Sequence, residues 1–369
     1  TQLTLGGGWN QYTGKHYGNV LWALDGGVPD NYRWYNTDAQ KNDLNIYVKL
    51  QQRAGNKLRP FGDLQYRNVA YNIYGFRDNP DVKPIALYNF INPKAGVTYM
   101  IAENGYKVEK IYASVAVANK EPNRNDFEAS PITQPKHEQL YDVEVGYDRN
   151  ISKLHLNANY FYMYYRNQLV LTGQINDVGA YTRTNVPTSY RTGIEAQAAY
   201  VPNYWLKVFA NATYSQNIIE DFTEYIDNYD NPTGAQDVVN HGTTDIAFSP
   251  NIIGAAGVTF SPFRYMQKEQ VLELDILGKY VGQQYLDNTG NSSRSIDPYG
   301  LCDIRIRYFI QTKPFKELGL NLALNNILNK QYVSNGYTFS YVSGGAMTTA
   351  NYYYPQAGFN FLLGLTLKF

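Results

Sequence analysis

From Phe359 to Phe369 the odd positions are Phe359, Phe361, Leu363, Leu365, Leu367 and Phe369, set against Asn360, Leu362, Gly364, Thr366 and Lys368. An apolar face every second residue is the signature of a β-strand, whose side chains point alternately to its two faces. The pattern recurs along the chain. Cys302, Ile304, Ile306, Tyr308 and Ile310 oppose Leu301, Asp303, Arg305, Arg307 and Phe309. Leu318, Leu320, Leu322 and Leu324 oppose Gly319, Asn321, Ala323 and Asn325. Tyr141, Val143, Val145 and Tyr147 oppose Asp142, Glu144, Gly146 and Asp148, and Leu206, Val208, Ala210, Ala212 and Tyr214 oppose Lys207, Phe209, Asn211, Thr213 and Ser215. One face suits lipid and the other suits water.

The connections between strands are as informative as the strands. Long polar stretches at 328–356, 285–298, 218–248, 167–186, 119–137, 73–86 and 13–41 alternate with short ones near 313–317, 262–269, 201–204, 149–152, 102–106 and 53–57. Short turns on one side and long loops on the other are expected of an outer-membrane barrel, and place the C-terminus on the short-turn, periplasmic side. The strands they join number roughly 14. Composition agrees: 36 Tyr, 16 Phe and 4 Trp make the chain 15% aromatic at a mean hydropathy of -0.46. No stretch approaches the roughly 20 apolar residues that a membrane-crossing helix needs, so a chain that spans lipid with this sequence must pair its backbone in a closed sheet. The expected fold class is all-β, a transmembrane antiparallel β-barrel over 1–369 as a single unit.

Net charge is +0, from 32 Lys and Arg against 32 Asp and Glu. No basic tract interleaves with aromatics, which argues against nucleic acid as a partner. One cysteine, Cys302, allows neither an internal disulfide nor a thiolate metal cluster. The four histidines, His16, His137, His155 and His241, lack metal-binding spacing, and His155 falls on the polar face of its strand. Asp227-Asn-Tyr-Asp-Asn231 lacks the Gly and Glu positions of an EF-hand loop. Gly6-Gly7-Gly8 sits within strand alternation, where glycine relieves crowding more often than it binds phosphate. No nucleophile elbow, phosphate loop or paired-carboxylate arrangement is present, so no catalytic residue, metal site or cofactor is assigned and the chain is not read as an enzyme. The chain opens Thr1-Gln-Leu-Thr-Leu-Gly, already alternating and without a leader, so the expectation is that processing or truncation has removed its start.

Several segments resemble one family, the TonB-dependent outer-membrane receptors, in particular the iron-complex type common in Bacteroidetes. Leu320-Asn-Leu-Ala-Leu-Asn-Asn-Ile-Leu-Asn-Lys-Gln-Tyr332 is similar to that family's penultimate strand with its "NLxNxxY" ending. Ser334–Tyr341, Tyr352–Gly358 and Leu363–Phe369 follow in family order. Tyr112–Phe127 resembles the "YASxSxANREPxRxDF" segment, Pro135-Lys-His-Glu138 the "KPE" element, and Ser189–Glu195 the "SxRxGIE" strand start. The resemblance covers the whole chain. It implies active import, with a plug domain inside a barrel of the 22-strand class and a TonB box reached by the inner-membrane TonB complex. Against that pattern the chain would hold roughly 14 of the 22 strands, with plug and TonB box upstream of Thr1.

The resemblance also implies partners: the chain's own plug domain, the barrel assembly machinery that reads the terminal Phe369, the lipid bilayer of the outer membrane, and a small-molecule ligand. An iron–siderophore is the first expectation for that ligand; cobalamin, haem and glycans stay open. A passive porin of the same strand number, and a barrel enzyme, are the competing classes. Ligand candidates, chosen because rigid aromatics stack at low entropic cost and Arg grips anionic groups in pairs, are His16 with Tyr17, then Tyr32, Arg33, Trp34 and Tyr35, then Tyr181 with Arg183, and Tyr352, Tyr353 and Tyr354. Each is more often a girdle or loop-packing residue. Glu121, Pro122, Arg124 and Asp126 carry two open readings, a plug-facing charge cluster or a salt-bridged loop base.

Overall fold

A computed structural model describes residues 1–24, 26–129, 134–175, 181–263 and 270–369, with the side chains of 174, 175 and 181 left out of the description. The protein is all-β. The first strands are β1 (Gln2–Val20), β2 (Tyr32–Gln51), β3 (Leu58–Ile73), β4 (Ile85–Asn104) and β5 (Lys107–Lys120). A five-residue helix, α1 (Arg124–Glu128), precedes β6 (Glu138–Ile151), β7 (Leu154–Ile175), β8 (Tyr181–Asn203) and β9 (Leu206–Asn228). Then come β10 (Asp237–Asp245), β11 (Ile252–Phe260), β12 (Gln270–Val281), β13 (Gln284–Tyr285) and β14 (Ser295–Ile296). The chain finishes with β15 (Tyr299–Ile310), β16 (Glu317–Asn325), β17 (Val333–Ser343), β18 (Ala346–Pro355) and β19 (Asn360–Lys368).

β1 to β9 pair in chain order. The near half of β9 continues through β11, β12, β15, β16 and β19, each antiparallel to the next. Those nine and five strands make a meander of fourteen, the number expected from the connections. β10, β17 and β18 bring the sheet to seventeen strands, and β13–β14 form a separate pair. These five extra strands all lie in long connections. β10 folds back on the far half of β9, from Asp237↔Ile226 to Asp245↔Ile218. β17 and β18 form a hairpin, and β17 touches β9 in parallel at Tyr341↔Asp227 and Val342↔Asn228.

The long connections differ from the sequence expectation in one respect. The expected loop 13–41 is mostly β1 and β2, which leave only 21–31 as connection, and β7 and β8 fill most of 167–186. Polar, Tyr- and Asn-rich segments there keep pairing because antiparallel hydrogen bonds need no apolar face, only a partner strand. The short turns lie where expected at 52–57, 105–106, 152–153, 204–205 and 311–316, and that near 262–269 falls largely outside the described residues.

The chain divides into two compact units: 1–97 with 114–143 and 164–189, and 98–113 with 144–163 and 190–369. In the second, the strand register aligns one apolar row across four strands, Leu274, Ile306, Leu322 and Leu363. Leu363 and its row-mates Phe361 and Leu365 on β19 stay more than 60% exposed. A water-soluble surface does not carry such a band, whereas a lipid-facing wall requires one. On the opposite face Arg307 meets Glu273 at 3.0 Å and Asp275 at 2.9 Å. The first unit holds a small core of Val69, Tyr71, Ile73, Phe76, Phe90 and Phe127 at its loop end.

Candidate functional site

The loop end of the first unit is organised by α1. Asn123 caps the helix: its side chain accepts from the Asp126 N–H (3.0 Å), and the Asp126 carboxylate accepts from the Asn123 N–H (2.7 Å). That reciprocal cap satisfies the first-turn donors that a helix start leaves open. One residue on, Phe127 is 1% exposed and meets the Tyr71 ring edge-on at 5.9 Å, so the short helix is pinned to the core. Asp126 is thereby held under the surface, where Arg183 donates to both carboxylate oxygens from Nε (2.8 Å) and a terminal nitrogen (3.1 Å).

Beside it lies a second charged group. Glu121 accepts from Lys41 Nζ at 2.8 Å and from both terminal nitrogens of Arg67 at 2.8 and 2.9 Å. Arg67 also donates to both oxygens of Asp43. Two cations thus face two carboxylates, a balanced set of the kind that tolerates burial. Burial by itself would raise the Glu121 carboxyl, but the hydrogen bonds from Lys41 and Arg67 outweigh it and hold it below the usual carboxylate range. Both carboxylates of this segment are thus engaged in ion pairs within the first unit, Glu121 with Lys41 and Arg67 and Asp126 with Arg183.

The other candidates separate into groups. Arg124 lies over the Phe76 ring at 4.6 Å and pairs with Glu128 at 3.7 Å, while its Nε is buried without a hydrogen-bond partner. Arg124 and Asp38 are the charges that act on His16, whose Nε2 is also buried and unpartnered. His16, Glu121, Arg124, Asp126 and Arg183 therefore belong to one region. Tyr32, Arg33, Trp34 and Tyr35 form another at the start of β2: Arg33 covers Tyr17 at 4.2 Å, and Trp34 meets Tyr35 edge-on at 4.9 Å. Tyr181 opens β8, and its side chain lies outside the described residues.

Tyr352, Tyr353 and Tyr354 lie in the second unit, on β18. Tyr352 stacks on Tyr337 at 4.7 Å and 8°, and Tyr354 approaches the same ring at 6.1 Å. Tyr353 points to the other face and donates its hydroxyl to the Ser295 carbonyl at 3.1 Å. Sequence reading missed the residue beneath this hairpin, Arg294, which donates to Asp287 at 2.9 Å and to Glu224 at 2.6 Å. Burial would lower the Arg294 pKa, yet those two carboxylates raise it further above its ordinary value. Glu224 also meets His241 at 2.8 Å. Lys41, Asp43 and Arg67 were missed as well; their only signal is polar parity on β2 and β3. In the stretch 227–231, Asp230 accepts from the backbone N–H groups of Gly344 and Gly345 at 2.8 and 2.7 Å, which hold it below the usual carboxylate range. Among the described residues no group of three His, Cys, Asp or Glu is arranged around a possible metal ion.

This fold and these segments have known relatives. The family model for the TonB-dependent receptor-like β-barrel matches residues 1–327. The chain belongs to the TonB-dependent receptor family. No curated protein matches it by sequence. Among solved structures, the ferric-catecholate import receptor Fiu of E. coli K12 in its closed form superposes with a TM-score of 0.66 at 16% identity, covering 98% of this chain and 51% of that one. The copper transporter OprC gives 0.68 at 15% identity, covering 100% and 54%. The ferric yersiniabactin uptake receptor FyuA of Yersinia pestis gives 0.59 at 14% identity, covering 89% and 46%. At such identities the likeness is one of fold. This TonB-dependent receptor chain spans about half the length of each of the three.

Proposed function

We propose that this chain forms barrel wall in an outer-membrane importer that takes up a scarce ligand with energy delivered by the TonB complex. The family match over residues 1–327 carries the reading. In it, a plug domain of the same protein lies against the wall, and the exposed apolar rows face the bilayer. Arg124, with its unpartnered Nε, and the neighbouring Glu121 and Asp126 lie where a plug-facing surface is proposed. His16, Tyr32, Arg33, Trp34, Tyr35, Tyr181, Arg183 and Tyr352 to Tyr354 are the proposed ligand contacts, and Phe369, whose ring packs on Phe315 at 5.1 Å, is the proposed assembly signal.

An iron–siderophore is the ligand we favour. Two of the three neighbours named above are ferric-complex receptors by name and one is a copper transporter, so both metals belong in the test. The complete protein, expressed in a strain lacking its own iron receptors, is assayed for uptake of labelled ferric catecholate and of copper, with and without a working TonB complex. Uptake of either metal that disappears without TonB supports import. Uptake that persists without TonB selects a passive pore instead.

A further inference from the structure

The β17–β18 hairpin has two unlike faces, as strand alternation requires. One carries Gly336, Thr338 and Ser340, all buried, and is anchored. A Cβ at Gly336 would collide with the Tyr352 carbonyl oxygen and lie 3.1 Å from Leu286. Thr338 donates to the Asn351 side chain at 2.6 Å, Asn351 donates to the Ser293 carbonyl at 2.8 Å, and the Ser340 and Thr349 hydroxyls meet at 2.9 Å. The other face is aromatic. On it Tyr337 and Tyr352 are direct cross-strand partners, and their rings stack with centroids 4.7 Å apart and planes 8° from parallel. Phe339 reaches Tyr352 from the diagonal position at 5.9 Å and 15°, so two rings pack Tyr352 in place. Tyr352 is 46% exposed, and neither its hydroxyl nor that of Tyr337 forms a hydrogen bond with any described residue.

This arrangement suits radical chemistry. A phenol gives up an electron and its hydroxyl proton, leaving a tyrosyl radical whose unpaired spin is shared between the oxygen and the ring carbons ortho to it. Phe339, without a hydroxyl, cannot. Two such radicals on facing rings couple at ortho carbons: one carbon–carbon bond forms, the hydrogens on those carbons leave as protons, and the two oxygens are reprotonated. In total the pair loses two electrons and two protons. Hydrogen peroxide, acting through a haem peroxidase, takes up both and becomes two waters.

The step depends on rings brought together beforehand, because holding two reactants in place turns a bimolecular encounter into an intramolecular one. Neighbouring tyrosine pairs are less well placed. Tyr299 and Tyr332 also lie 4.7 Å apart, but Tyr299 is only 8% exposed. Tyr354 meets Tyr337 at 6.1 Å and 40°, and Tyr229 meets Tyr341 at 5.9 Å and 64°. We propose that Tyr337 and Tyr352 are an oxidative cross-linking site, at which a peroxide-driven one-electron oxidant joins β17 to β18 through a dityrosine bond. The site goes beyond import and does not depend on it. The bond fixes the two strands to each other, whatever becomes of the tip that Asp230 holds through Gly344 and Gly345.

The complete protein, purified in detergent, is treated with hydrogen peroxide and a small haem peptide, under conditions that couple free N-acetyltyrosine, then digested and read by mass spectrometry. The expected product is a peptide pair joined between Tyr337 and Tyr352, lighter by two hydrogen atoms than its parts, and more abundant than any other dityrosine. Its yield should hold steady when the protein is diluted about tenfold, since the coupling is intramolecular. Tyr352→Phe keeps the ring stack, removes the phenol, and should lower dityrosine fluorescence severalfold, whereas Tyr354→Phe should leave the Tyr337–Tyr352 product unchanged. Absence of that product, a yield that falls in proportion to dilution, or equal fluorescence from wild type and Tyr352→Phe overturns the site.

Discussion

Arg294 shows what a single buried charge does here. Its side chain is 4% exposed, against 7% for Asp287 and 15% for Glu224, so the guanidinium lies deeper than the carboxylates it holds. Such a pair adds little over a well-packed apolar group, but breaking it leaves charge buried alone, at about 3–5 kcal/mol. Arg294→Met is therefore expected to speed amide exchange in β13 and β14 by about a hundredfold or more, since 1.36 kcal/mol is a factor of ten; protection equal to wild type would contradict the assignment. Asp230 makes a prediction of the opposite character. Its carboxyl is held below its ordinary value of 3.8 by the N–H groups of Gly345 and Gly344. A depressed acid stabilises the folded arrangement above its unfolded pKa and loses that contribution as pH falls through its folded one. The β17–β18 tip should stay docked at neutral pH and loosen below about pH 4. A nitroxide at Ser343→Cys, in a Cys302→Ser background, should be immobile at pH 6 and mobile at pH 3. With Asp230→Asn it should be mobile at both.

Within single elements the recurring device is a glycine covered by an aromatic ring from a neighbouring position. A Cβ added at Gly6 would enter the Tyr47 ring, one at Gly146 the Tyr112 ring, and one at Gly319 the Phe309 ring. The sequence expectation that Gly6 relieves crowding is met by Tyr47. The Tyr112 hydroxyl also reaches Asn159 at 3.3 Å, so its ring cannot move aside freely. Gly146→Val should cost about 1–3 kcal/mol, the range for overpacking a filled site, read as a lowered midpoint of urea unfolding. Gly62→Ala, on β3 where nothing lies within 4 Å of the added carbon, should be neutral or stabilising by up to about 1 kcal/mol. Equal effects at both positions would mean that the ring contact is not what keeps position 146 small.

At the scale of the whole molecule the wall depends on parity. Leu363 on β19 belongs to the apolar row, and Asn321 on β16 to the opposite face. Leu363→Arg should destabilise the barrel by about 2–4 kcal/mol in lipid, as a cation at mid-bilayer does, while Asn321→Arg should stay within about 0.5 kcal/mol. Comparable losses from both, measured by urea titration in lipid vesicles, would reject the assigned lipid face. Parity was legible without any structure: alternation places every residue on one face or the other, and the long and short connections gave roughly fourteen strands. Who meets whom was not legible. A shift of two residues between neighbouring strands keeps every side chain on its face, so alternation cannot distinguish one register from the next. Arg67 reaches Asp43 across 24 residues and Glu121 across 54, and Asp230 reaches Gly344 across 114. The sequence by itself determined the wall, because one-dimensional periodicity encodes two faces. Only the tertiary structure decided the ion pairs, the loop clasp and the stacked tyrosine pair, because each depends on register and on loops whose partners lie far along the chain.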